Sequence, residues 1–367
     1  MITLNARELH ARMGARFSSD TDVEVVEDYG DYLAEHAALS QRAALLDLSF
    51  RSRLCLTGGD RIRFLHGQVT NNVRDLSVGE GCYAALITPK GKMETDLNIY
   101  HLPNELLLDF EPGLASRVIQ RLERYIIADD VQITEVASLY GLWSLQGPQT
   151  AEVFRQAALE LDFPAKDHTF TTREHPVYGE IYAMNVARTG RVGLDFFIPI
   201  LNFTAFGERL WEALALVQGR AAGWKALELA RIEAGIPRYS RDMDETNLPG
   251  ESGIESQAVS YSKGCYIGQE VIARIRTYGQ VAKALRGLDL GAVPVAARKG
   301  DKLYYNGAEI GYLTSSIFSP TFARQLGLGY VRKEHNQVGK RLLLKTAAVE
   351  APVRIVPLPF AAAELIG

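Results

Sequence analysis

Beyond residue 280 the chain offers only short strand-like runs: LRGLDL, KLYYNG, EIGYLTS, QLGLGYVR, RLLLKTA and APVRIVPLP, punctuated by Gly and Asn turns. Short strands in that density, with no helical period among them, predict a small β-barrel or sandwich. The preceding residues read differently. RSRLCLTG alternates as a strand, DRIRFLHGQV is helical, and CYAALIT, the turn TPKGK and METDLNIY form a hairpin. ELLLDF, PGLASRVIQRLERY and DVQITEV then read as strand, helix and strand, so 51–137 predicts the order β-α-β-β-β-α-β and an α+β unit with a largely antiparallel sheet. LYGLWSLQG, PQTAEVFRQAAL, EIYAMNVARTG, LDFFIP and a helix over 202–218 form a second strand-rich unit with covering helices. GWKALELARIEAG is a helix stopped by Gly235 and Pro237. At the N-terminus, 3–17 reads as a short amphipathic helix and 31–46 as another. A chain of 367 residues is too long for one modest core, which predicts two or three domains.

Composition narrows the function classes. Hydrophobic residues at 47% and charged residues at 23% describe an ordinary soluble protein, and a net charge of −4 offers nothing to a nucleic acid. No apolar run approaches the roughly 20 residues that span a bilayer, and MITLNARELHARMGARF lacks the apolar core of a signal peptide, so no membrane partner and a cytoplasmic location are expected. Cys55, Cys82 and Cys265 are far apart and form no CxxC pair. The seven histidines show no ligand spacing, so no metal site is expected. GxSxG, HExxH, P-loop and dinucleotide fingerprints are absent.

Four places carry chemistry. In METDLNIY the period of two puts Met93, Thr95, Leu97 and Ile99 on one face and Glu94, Asp96, Asn98 and Tyr100 on the other. That polar face is either the solvated side of an edge hairpin or the lining of a pocket, with Asp96 as acceptor or general base and Tyr83 within reach on the preceding strand. Asp195 stands in the apolar run GLDFFIP. It is either on an exposed side or buried, and if buried it needs donors such as a heterocycle's ring N–H beside an exocyclic amine. Arg231 either pairs with Glu228 along its helix or offers its guanidinium to a ligand carboxylate. The stretch YSKGCYIGQE, followed by the basic and extended VIARIRTYGQVAK, fits no period. Lys263 lies two residues before Cys265 and, in an extended segment, would favour its thiolate, whereas a lone cysteine is otherwise a buried structural residue.

Taken together, these segments resemble a known family. SKGCYIGQE with RIRTYGQVAKALRGL resembles the signature of the YgfZ family, folate-binding proteins implicated in iron–sulfur cluster maintenance. LLDLSFRSRLCLTGGDRIRFLHGQVTNNV, CYAALITPKGKMETDLNIY, ARTGRVGLDFFIP and ALELARIEAGIPRYSRDMDETNLPGESGIE are similar to the wider superfamily of the glycine-cleavage T-protein, an aminomethyltransferase. The resemblance spans roughly 30–355 in order. It implies an α+β protein of three domains in a cloverleaf around a central folate channel, with antiparallel sheets, covering helices and a C-terminal small β-barrel. On this reading 1–50 and 138–260 form a discontinuous domain, 51–137 is inserted with the Asp96 hairpin, 261–279 is the signature connector and 280–367 is the barrel.

The resemblance also implies tetrahydrofolate, or a one-carbon derivative of it, as the bound cofactor. Tyr83, Asp96, Tyr100, Asp195 and Arg231 fall at folate-lining positions, with Asp96 placed to orient or deprotonate the folate amine. Asp195 stands where the T-protein family uses a glutamate to grip the pterin, and Arg231 matches the arginine of the R-[LI]-E-A-G helix. Lys263, Gly264, Cys265, Tyr266, Gly268, Gln269 and Glu270 form the signature, with Cys265 as a redox-responsive thiol. The implied function is a tetrahydrofolate-binding accessory protein for assembly or repair of iron–sulfur clusters in client proteins. The alternative is a folate-dependent aminomethyltransferase served by an aminomethyl-lipoyl carrier protein. A third reading is a folate-channel scaffold that binds a partner through its barrel. Nothing demands more than a monomer.

Overall fold

In the strand Ser52–Thr57, Leu54 and Leu56 are buried on one face and Arg53 and Cys55 on the other. A strand covered on both sides belongs inside a sheet. It lies in a five-stranded sheet ordered Gly81–Ile87, Met93–His101, Leu106–Phe110, Ser52–Thr57, Gln132–Glu135. The pairing is antiparallel, with Asp109 opposite both Asn98 and Arg53. Helices Arg61–Gln68 and Ala115–Glu123 complete the order expected over 51–137. This computed structural model describes residues 4–20, 23–292 and 294–365. Its contacts define two compact units, 1–84 with 96–230, and 85–95 with 231–367.

The first unit also holds a six-stranded sheet ordered Phe170–His175, Gly179–Asn185, Gly193–Pro199, Tyr140–Gln146, Ala44–Asp47, Arg220–Ala221. Its pairings are antiparallel except the last, between Arg220–Ala221 and Ala44–Asp47. Both faces are covered, so GLDFFIP reads as a nearly continuous apolar run instead of alternating. On one face Trp143, Leu145 and Phe196 pack with Val153 and Phe154 of helix Thr150–Ala157 and with Phe203, Phe206 and Leu210 of helix Phe203–Leu216. Trp143 stacks on Phe203 at 4.7 Å and donates its indole N–H to the Phe203 carbonyl at 3.0 Å. On the other face Leu46, Leu142, Met184 and Phe197 share one apolar core with Cys55, Tyr100 and Leu107 of the five-stranded sheet.

Two expectations near the N-terminus are corrected. The first helix covers Leu4–Arg12, and Arg16–Asp20 is a strand paired with Val23–Asp28. Gly14, at φ +82°, breaks the helix between them; residue 3, included in the expected helix, lies outside the described residues. The helix expected over 31–46 stops at Gln41, and the apolar Ala44–Asp47 joins the sheet.

In the second unit the six runs beyond 280 become six strands of one closed barrel. Its order is Lys283–Gly291, Arg324–Arg332, Ala308–Ser319, Lys302–Tyr305, Arg341–Lys345, Glu350–Val356, returning to the first. Leu288, Leu303, Leu313, Val331, Leu344 and Ile355 fill it, and the last strand closes on the first through Gly287, Leu288 and Asp289. The segment expected to be extended after the signature is instead the helix Gln269–Tyr278. Val271, Ile272 and Ile275 recur at helical spacing, Ile272 is buried, and Val271 faces Gly91 at the hairpin turn. No helix among the described residues is long and apolar enough to cross a membrane.

Candidate functional site

Along Met93–His101 the expected polar face is present, half-buried at Glu94 and Asp96 and covered further along. Asn98 and Tyr100 are buried, and the Tyr100 ring belongs to the core shared by the two sheets. A polar face inside a sandwich must find partners. On the neighbouring strand Tyr83 donates its hydroxyl to Asp96 Oδ2 at 2.8 Å. Asn98 donates to Asp109 Oδ2 at 3.2 Å. Tyr100 packs edge-on against Phe170 at 6.2 Å. Its ring sits tight against the strand Gly81–Ile87: a Cβ on Gly81 would fall 2.6 Å from the ring and 2.4 Å from the Ile99 carbonyl, so only glycine permits the approach.

Asp96 has the electrostatics of a group that exchanges protons near neutrality. Its Oδ1 is buried. Burial, and then the Glu111 carboxylate, push its pKa up to about 6, against the opposing pull of the Tyr83 hydroxyl and the Arg51 guanidinium. Burial and the adjacent Asp96 in turn hold the Tyr83 phenol well above its ordinary value, so Tyr83 remains a donor.

Asp195 is buried at 1% exposure, which removes the exposed alternative. Arg188, on the loop after Gly179–Asn185, donates from Nε to Asp195 Oδ2 at 2.8 Å. Its Nη2 reaches both that oxygen and Asp109 Oδ2, the latter at 2.9 Å. Asp109 also accepts from Arg51 Nε at 2.8 Å, and Arg51 Nη1 reaches Glu111 at 3.0 Å. Burial alone would raise the Asp109 pKa, but the two guanidiniums outweigh it and hold the carboxyl well below the usual carboxylate range. Burial, and then the Asp195 and Asp109 carboxylates, hold the Tyr100 phenol well above its ordinary value against the opposing pull of Arg188 and Arg51. Asp195 Oδ1 and Thr189 Oγ1 are buried and make no hydrogen bond among the described residues.

The first unit therefore brings Tyr83, Asp96, Tyr100 and Asp195 together. It adds Arg51, Asp109, Glu111 and Arg188, which the sequence reading passed over. Asp109 was open to discovery, because a lone carboxylate in LLLDF stands out by the same criterion that singled out Asp195 in GLDFFIP. Arg188 sits in a turn and carries no periodic signal.

Comparison with known proteins agrees with this architecture. Residues 6–263 match the GCVT N-terminal domain, and 283–361 match the glycine cleavage T-protein C-terminal barrel domain. The chain belongs to the glycine-cleavage T-protein superfamily. An aminomethyltransferase of Rubrobacter xylanophilus is 31% identical over 353 residues, covering 96% of this chain and 92% of the relative. One from a Picosynechococcus species is 26% identical over 363 residues, covering 98% of each. The crystal structure of the glycine cleavage system aminomethyltransferase T from Bartonella henselae superposes with a TM-score of 0.87 over 99% of both chains at 23% identity, so the fold is shared end to end.

In this T-protein-type chain the remaining candidates lie in the second unit. Arg231 is buried at 4% exposure and forms an ion pair with Asp242. Its Nη1 also donates to the Ile236 carbonyl and its Nη2 to Ser315 Oγ, each at 3.2 Å. A ligand carboxylate at Arg231 must compete with Asp242, which also accepts from Thr314 and Ser315 at 2.6 Å. In the signature, Lys263 is buried with its ammonium 4.8 Å from the centroid of the Tyr266 ring, whereas Cys265 is exposed. The buried structural cysteine is thus excluded. Gly264 lies in the irregular segment before the helix, and Gln269 and Glu270 open that helix. Gly268 precedes it at φ +82°, where a Cβ would fall 2.5 Å from the Thr88 carbonyl.

Proposed function

We propose that this protein is a tetrahydrofolate-dependent one-carbon transferase of the aminomethyltransferase type. The observation that carries the reading is the Tyr83–Asp96 pair: a half-buried acid near pH 6, oriented by a phenol that stays protonated. A group in that range takes or returns a proton at neutral pH with little driving force lost, as general acid–base catalysis requires. The named relatives, which span nearly the whole chain, support the same reading.

The residues present fit a reduced pterin. Asp195 Oδ1 is a buried acceptor with no hydrogen bond among the described residues, and it suits a ligand edge that brings N–H donors. Asp195 would hold the pterin, Tyr100 would wall the site, and Asp96 would face the folate amine. Bound tetrahydrofolate supplies the amine that accepts the one-carbon unit. Asp96 would hold or move the proton of that amine, and Tyr83 orients its carboxylate by donating to Oδ2. The donor of the one-carbon unit would be an aminomethyl-lipoyl carrier protein, with the C–N bond breaking to release ammonia and the C–S bond breaking to return the carrier's free dihydrolipoyl thiol. The protein is incubated with that carrier and tetrahydrofolate, and methylenetetrahydrofolate and ammonia are measured. Equimolar appearance of both supports the reading, and failure to form either at any protein concentration refutes it.

One observation favours a second reading, a YgfZ-type folate-binding accessory protein for iron–sulfur cluster assembly or repair. Cys265 is exposed within SKGCYIGQE, where a thiol can meet a client protein. Cells carrying Cys265→Ala are compared with a full deletion. Normal activity of cluster-containing enzymes in the former, with loss in the latter, would remove the thiol from this role.

A further inference from the structure

We infer that Arg188 is the positioning residue of the site: it commits one oxygen of Asp195, leaves the other to the ligand, and ties Asp195 through Asp109 to the strand that carries Asp96. The inference deepens the reading of Asp195 as the pterin acceptor and rests on it.

The geometry is that of a two-sided clamp. Asp195 lies on Gly193–Pro199 of the six-stranded sheet, and Asp109 lies on Leu106–Phe110 of the five-stranded sheet. Arg188 uses the Nε–Nη2 edge of its fork on Asp195 Oδ2 and shares Nη2 with Asp109 Oδ2. Both carboxylates are about 1% exposed, and the Arg188 side chain is 11% exposed. The backbone of Arg188 is fixed as well, because its N–H donates to Gln146 Oε1 at 3.0 Å while Gln146 Nε2 holds Ser144 and the Val186 carbonyl. From Asp109 the tie continues to Asn98, its register partner, two residues from Asp96 on the same strand face.

Two consequences follow. With Oδ2 engaged by two N–H groups of Arg188, Asp195 presents Oδ1 to a ligand, and its carboxylate plane is fixed before the ligand arrives. The acceptor that grips the heterocycle and the acid that serves its amine are also held in one frame, where a misplacement of about 1 Å is costly. Lysine cannot replace Arg188, since a point charge on a flexible stem lacks the planar fork that serves two carboxylates.

The test is a double-mutant cycle in tetrahydrofolate affinity, read by calorimetry on the full chain beside thermal unfolding. Asp195→Asn is expected to weaken binding at least about tenfold, and Arg188→Lys about tenfold. If Arg188 acts through Asp195, the double variant binds within about twofold of Asp195→Asn alone, because the oxygen that Arg188 positions is already lost. A merely structural arginine gives losses that multiply. A folded Arg188→Lys protein with wild-type affinity, or losses that multiply in the double variant, overturns the inference while Asp195 stands. Wild-type affinity in Asp195→Asn overturns the reading of Asp195 itself. Should Arg188→Lys fail to fold, Asp109→Leu decides: with no acceptor at 109 it removes the tie and keeps the Arg188–Asp195 pair, so binding weakens at least about threefold, and unchanged affinity overturns the inference.

Discussion

Replacing Asp96 by Asn is expected to stabilise the protein, and increasingly so as pH rises from about 4 to about 6. The folded carboxyl titrates near 6 instead of its ordinary 3.8, because burial and Glu111 disfavour the charge. Since the folded pKa lies above the unfolded one, the folded state binds this proton more tightly. The advantage is complete below about pH 3.8 and is lost as pH rises through 6, so ionised Asp96 is a liability in the folded state. At about 1.4 kcal/mol per pH unit, the penalty is about 3 kcal/mol at pH 8 and roughly half of that at pH 5.

Asn has the same shape, and its amide oxygen accepts the Tyr83 hydroxyl, so the substitution removes the charge and little else. Urea unfolding of both proteins at pH 5 and pH 8 gives the difference directly, because every other titrating group is common to both and cancels. The variant should gain about 1.4 kcal/mol more relative to wild type at pH 8 than at pH 5. A difference that does not change with pH would refute the reasoning and place the Asp96 carboxyl in a far wetter setting. The same variant should lose one-carbon transfer, giving a protein more stable and less active.

Tyr83→Phe removes a hydrogen bond to the Asp96 carboxylate. Such bonds to charged groups contribute about 1.5–3 kcal/mol, so the acidic limb of the pH–rate profile should move up by at least about one pH unit, measured by initial rates from pH 5 to 9. Asp109→Ala leaves Arg51 and Arg188 without their shared carboxylate in the interior and should cost about 3–5 kcal/mol in urea unfolding. Gly268→Ala forces a left-handed backbone and a Cβ 2.5 Å from the Thr88 carbonyl. At a cost of at least about 1–3 kcal/mol its unfolding temperature should fall, and an unchanged temperature would mean that the hairpin turn yields freely.

What the sequence disclosed depended on how many faces of each element are covered. The barrel was legible because each of its strands is a strand-like run set off by Gly and Asn turns, which is a local pattern. The unit over 51–137 was legible in order for the same reason. Legibility failed where covering came from far away in sequence. Nothing local in METDLNIY announces that a second sheet lies over Tyr100, so a solvated hairpin was the favoured reading. Strand Phe170–His175, partly exposed and with the charges of TTREH, offered no apolar alternation and was missed. Helix Gln269–Tyr278 was hidden because its first turn lies inside the glycine-bearing signature, and Val271 finds its partner only at the hairpin turn. Arg188 illustrates the limit. Its importance lies in two carboxylates, 7 and 79 residues away, that only the folded chain brings to it.

The cost of Asp96 bears on which of the two functions the site serves. A protein that only bound folate would need an acceptor for the Tyr83 hydroxyl and a polar contact for the ligand, and an amide supplies both without the penalty of about 3 kcal/mol. That penalty matters in a molecule whose net stability is expected to be only about 5–15 kcal/mol. An ionisable group with a pKa near 6 is useful where a proton has to be moved, whereas the accessory reading rests on the exposed Cys265. The two features can therefore be separated. If Asp96→Asn abolishes one-carbon transfer and leaves cluster-dependent activities in the cell intact, the chemistry and the accessory role reside at different residues of one chain. If it abolishes both, the accessory role runs through the one-carbon reaction.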